Sequence, residues 1–105
     1  MSNESRRIEL HQELKTLLGS NNVYFQPPES IAMQYPAIIY ERSDIKNVHA
    51  DDSVYTSTCV YRIIVVDYDP TSEIVDRLSK KYPKIKYIRH YVSEKLNHDV
   101  FSLYY

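Results

Sequence analysis

Residues 54–67 read as one long β-strand. Tyr55, Cys59, Tyr61, Ile63 and Val65 fall on one face, and Thr56, Thr58, Val60, Arg62, Ile64 and Val66 on the other. A strand of this length needs a long partner. Residues 35–42, Tyr-Pro-Ala-Ile-Ile-Tyr-Glu-Arg, supply it with branched and aromatic side chains. Between the two, residues 43–53 hold Asp44, Asp51 and Asp52 without glycine or proline, which predicts a long β-hairpin with an exposed acidic tip.

The remaining elements arrange themselves around that hairpin. In residues 4–18, Ile8, Leu10, Leu14, Leu17 and Leu18 recur at helical spacing, with Glu4, Arg6, Arg7, Glu9, Gln12, Glu13 and Lys15 between them. Gly19, the only glycine, follows at once, where a left-handed residue commonly closes a helix. Residues 23–26 suit a short strand that Pro27-Pro28 ends. Asp69-Pro70 with Glu73 predicts a helix start capped by Asp69, and Ile74, Val75, Leu78 and Tyr82 form its apolar stripe up to Pro83. Residues 84–93 and 98–105 read as two further strands joined by a turn at 94–97. The order predicts a single α+β domain over residues 1–105: a mainly antiparallel sheet of four to five strands, with two helices on one face.

Composition narrows the function. Apolar residues make up 43% and charged residues 26%, which argues against disorder, and a net charge of −1 removes the simplest argument for nucleic-acid binding. Cys59 is the only cysteine, so no intrachain disulfide can form. Nothing resembles a signal peptide or a membrane span, and the expected setting is a reducing cytoplasm with no membrane partner. Cys59 with His90 or His98 and Asp99 contains the residue types of a nucleophile and its base, yet Cys59 sits in an apolar strand and reads as a buried structural thiol. The histidines His11, His49, His90 and His98 match no metal-ligand spacing, and one glycine cannot build a phosphate-cradling loop. The expectation is no enzyme, no metal and no cofactor.

Surfaces are the alternative source of function. Residues 96–105 continue as a strand to the final residue, with Phe101, Leu103 and Tyr105 facing one way and Val100, Ser102 and Tyr104 the other. Both faces carry apolar surface, and two short helices cover one. Eleven tyrosines, a residue favoured at interfaces, point to further copies of the chain as the cover for the other face. A competing reading is a small nucleic-acid-binding module, based on residues 80–90, where Lys80, Lys81, Lys84, Lys86 and Arg89 interleave with tyrosines and no acid intervenes.

Residues 22–30 (Asn-Val-Tyr-Phe-Gln-Pro-Pro-Glu-Ser), 35–40 (Tyr-Pro-Ala-Ile-Ile-Tyr) and 96–105 (Leu-Asn-His-Asp-Val-Phe-Ser-Leu-Tyr-Tyr) resemble the tail terminator, or tail completion (minor capsid), proteins of long-tailed bacteriophages. The likeness spans nearly the whole chain as an overall pattern, without a catalytic signature. It implies an α+β subunit of the virion neck that closes into a homo-oligomeric ring, sits on the last ring of the tail tube, stops tube growth and meets the head connector. Genomic DNA would pass through the lumen without specific binding, and assembly would take place in the host cytoplasm. A head-side stopper or adaptor of the same neck is the alternative role. On that view the aromatic residues Phe101, Tyr104, Tyr105, Tyr24 and Phe25 are the candidate subunit or partner contacts. Asp44, Asp51 and Asp52 are the candidate lumen-facing or tube-facing surface.

Overall fold

A computed structural model describes residues 3–50 and 53–105, with side chains over 4–46 and 58–105. Helix α1 (Asn3–Leu18) is followed by strands β1 (Val23–Phe25), β2 (Ala37–Ala50) and β3 (Ser53–Asp67), helix α2 (Glu73–Lys81) and strands β4 (Ile85–Ser93) and β5 (Leu96–Tyr104). The five strands form one mixed sheet in the order β1-β2-β3-β5-β4, parallel only between β1 and β2. Parallel neighbours require the chain to be carried back to the same end. With only three residues in β1, the proline-containing stretch 26–36 is long enough to do this. β3, α2 and β4 make a split β-α-β unit, and the β4–β5 hairpin folds β5 into the gap.

Both helices pack on one face. Leu10, Leu14 and Leu18 of α1 and Ile74 and Leu78 of α2 meet Ile38, Tyr40, Tyr61, Ile63, Val65, Phe101 and Leu103 of the sheet in one core. The α+β architecture therefore follows the period-3.6 and period-2 patterns of the sequence. Ile8 departs from its expected role: it is 48% exposed, because the buried stripe runs through Leu10, Leu14 and Leu18. Gly19 closes α1 with φ of +80° and donates its N–H to the Lys15 carbonyl, 2.8 Å.

Three boundaries differ from expectation. β2 runs on to Ala50, past the expected end at residue 42. The cap of α2 is Ser72, whose Oγ accepts from the Ile74 N–H, while Asp69 accepts from the Thr71 N–H and hydroxyl one turn earlier. The Asp69-Pro70 signal marks the turn that leads into the helix. The β4–β5 connection is only Glu94-Lys95, both at positive φ (53° and 66°), so β5 starts at Leu96. Such a tight two-residue turn normally takes asparagine and glycine, so its sequence looked like a longer loop. Asn97 then lies inside β5. It is buried, donates to the Asp67 and Tyr68 carbonyls and, through Oδ1, accepts from His90 Nε2 across the hairpin.

Candidate assembly surface

The β2–β3 hairpin outgrows the sheet. β5 ends its pairing at Val60↔Tyr104, yet β2 and β3 remain paired from Ile45↔Cys59 out to Ala50↔Ser53. At the usual rise per residue this leaves a two-stranded ribbon about 20 Å long beyond its last neighbour. The longest dimension of the subunit is 51 Å against 24 and 23 Å in the other directions. The ribbon starts at a β-bulge between Arg42 and Asp44, where Ser43 is the additional residue and its hydroxyl donates to the Val60 carbonyl, 3.1 Å. The bulge changes the phase of the strand. Tyr40 faces the core before it, and Ile45, not Asp44, faces the core after it.

The acidic residues must be placed accordingly. Asp44 sits at the root of the ribbon and not at its tip, and it pairs with Lys46 at 2.8 Å. The Lys46 ammonium and the Ile45 N–H hold its carboxyl below the ordinary range. Asp51 and Asp52 lie outside the described residues.

The five aromatic candidates have different fates. Phe101 is 1% exposed and is spent in the subunit's own core. Tyr105 turns toward α1, where its hydroxyl donates to Glu13 Oε2 at 2.6 Å and the Arg6 guanidinium lies 4.7 Å from its ring. Tyr82 donates to the other oxygen of Glu13 at 2.7 Å, so one carboxylate ties the last residues to both helices. Phe25 packs against Tyr40 with Arg7 over its ring, and the Tyr24 hydroxyl accepts from the Gln34 N–H. Tyr104 alone of the five is exposed, at 44%, beside the ribbon root on the face away from the helices. Burial could not be read from residue type, because an aromatic side chain serves core and interface equally.

The sheet face opposite the helices is less bare than its alternation suggested. Ala37, Val60, Val66 and Val100 on that face are buried within the subunit. Next to Ala37 and Val66, Tyr35 and Tyr68 form an edge-to-face pair at 5.9 Å. The Glu41–Arg62 ion pair, 3.3 Å, crosses the same face. At the β4 edge a second bulge, between Tyr87 and Arg89, brings Ile88 and Arg89 together to line one cleft of about 270 Å³ with Arg62, Ile64, Tyr91 and Val100. Arg89 lies over the Tyr91 ring at 4.9 Å, and Tyr91 stacks on His98 at 4.6 Å and 11°. Sequence reasoning did not single out Ile88 and Tyr91, since only the bulge brings Ile88 to this cleft.

The residue types of a cysteine nucleophile and its base are not brought together. Cys59 is buried at the ribbon root, with its carbonyl accepting from the Tyr105 N–H, whereas Asp99 lies six residues back along β5, about 20 Å away. His98 belongs to the opposite sheet face, and Asp99 is buried beneath the Tyr87 hydroxyl, which donates to it at 2.6 Å. Among the described residues no group of three or more histidine, cysteine, aspartate or glutamate side chains is placed to hold a metal ion, and no helix is long and apolar enough to cross a membrane. Neither a scan against protein-family models nor a search of curated proteins returns a match to this chain.

Proposed function

We propose that this chain is a structural subunit of a bacteriophage neck, which forms a homo-oligomeric ring on the end of the tail tube, ends tube growth and joins the tail to the head connector. One observation carries the reading: a ribbon of two strands about 20 Å long continues past the last residue that β5 pairs with. An isolated two-stranded ribbon is marginal in water, so a long one is stabilised when it lies on another chain. A subunit that offers a ribbon and receives one on a different patch makes a heterologous contact, the kind that closes into rings. The exposed Tyr104 at the ribbon root is the favoured anchor for such a contact. The likeness of residues 22–30, 35–40 and 96–105 to tail terminator proteins supplies the biological setting, a virion neck.

The test shortens the ribbon. Replacing residues 47–57 by Asn-Gly keeps the sheet pairing up to Lys46↔Thr58 and the core. Native mass spectrometry and electron microscopy of the full chain, alone and mixed with its tail tube protein, should give rings or ring-capped tubes. The shortened chain should stay folded and monomeric. A full-length chain that remains monomeric and leaves tubes uncapped, or a shortened chain that still forms rings, overturns the proposal.

A further inference from the structure

The cleft at the β4 edge has a chemistry that the ring reading does not use. Its apolar lining, Ile64, Val100 and the half-exposed Ile88, is accompanied by two guanidinium groups, Arg62 and Arg89, and by the ring of Tyr91. Lys86, next along β4 on the same sheet face, and Lys84, just before the strand, extend the positive charge along the edge. Lys84, Lys86 and Arg89 have no carboxylate partner among the described residues. The acids near this face are neutralised or point elsewhere: Glu41 is held by Arg62, Asp44 by Lys46, and Asp99 lies beneath Tyr87 on the helix side.

An apolar slot bordered by planar cations and an aromatic ring fits a flat, weakly polar group that carries negative charge beside it. A nucleotide has that composition. Its base takes the slot and stacks on guanidinium or aromatic planes, while its phosphates meet the cations along the edge. A duplex hides its bases and would use the charges alone. We infer that the open sheet face at β4 and β5 binds single-stranded nucleic acid, with a base in the Arg62–Ile88–Tyr91 cleft and the backbone along Lys84, Lys86 and Arg89. None of these residues belongs to the ribbon beyond β5, and the inference stands whether or not the chain forms a ring.

Fluorescence anisotropy of the full chain with a short labelled oligothymidylate tests it, alongside a duplex of equal length, an abasic strand of equal length and an oligoglutamate. Single-stranded binding should weaken with salt at a logarithmic slope of roughly −2, as expected for about three phosphate contacts. Arg89→Ala should make that slope shallower by about 0.7. Tyr91→Leu should weaken binding about tenfold with the salt slope unchanged, because the ring packed between Arg89 and His98 is the wall of the slot that the base enters. Lys15→Ala, on α1, should change nothing. Circular dichroism keeps the comparison to folded variants, and these positions lie at the surface or its margin. Absence of binding at low salt overturns the inference, as does equal binding of the abasic strand or the duplex. Equal or tighter binding of oligoglutamate also overturns it and assigns the face to an acidic protein surface.

Discussion

Glu13 accepts hydrogen bonds from two phenols that reach it from far along the sequence, Tyr82 after α2 and Tyr105 after β5. The two rings also meet edge to face at 5.9 Å, so the carboxylate closes a small polar knot over the rim of the core. Hydrogen bonds to a charged acceptor contribute about 1.5–3 kcal/mol each when removal strands the donor, with less at partly wet sites. Glu13→Ala should therefore lower unfolding free energy by about 2–3 kcal/mol in urea titration, and Glu13→Gln by about half of that. An unchanged midpoint for Glu13→Ala would show that water satisfies both phenols. The knot was not legible in the sequence: Glu13 reads as one polar residue among seven on a helix face, and its partners lie 69 and 92 positions away. Leu10, Leu14 and Leu18, by contrast, were legible as core because helical spacing alone places them together.

Among the elements, the β4–β5 hairpin carries the clearest local cost. Glu94 and Lys95 both occupy left-handed backbone, which costs an ordinary residue about 1–2 kcal/mol relative to glycine or asparagine. Glu94→Asn with Lys95→Gly should raise stability by about 1 kcal/mol and the melting temperature by about 4–8 °C in calorimetry. A lower melting temperature would mean that the two side chains make contacts worth more than the backbone relief. This turn is where sequence reasoning stretched a two-residue connection into four. The strands themselves were plain, because alternation over Ile63, Val65, Phe101 and Leu103 leaves one consistent inward face. The parallel pairing of β1 was hidden, since three residues carry no directional signal.

At the scale of the whole molecule, tyrosine ionisation links the fold to alkaline pH. Burial, then the neighbouring Cys59, pushes Tyr61 up to about 12, and the hydrogen bond to Asp99, then burial, pushes Tyr87 up to about 12. Burial followed by the bond to Glu13 raises Tyr82 and Tyr105 as well. In the unfolded chain these phenols lose their protons near pH 10, so above that value the unfolded state binds fewer protons than the native one. The stability they contribute is complete below pH 10 and is lost as pH rises through the folded values. Urea midpoints at pH 8 and 9 should agree, and the midpoint at pH 11 should be clearly lower; equal midpoints at pH 9 and 11 would refute the linkage. The ribbon belongs to this scale too. Its β3 side was legible in residues 54–67, but its β2 side was not, since the strand pattern ended at residue 42, and its orientation was hidden because Ser43 resets the phase. Were Ser43 paired in the regular ladder and not bulged out of it, Ile45 would turn outward and Lys46 inward, since strand faces swap with every single position. One serine thus works like the half-twist in a belt: it decides which side of a long arm is offered to the outside, while the sheet that holds the arm keeps its own alternation unchanged.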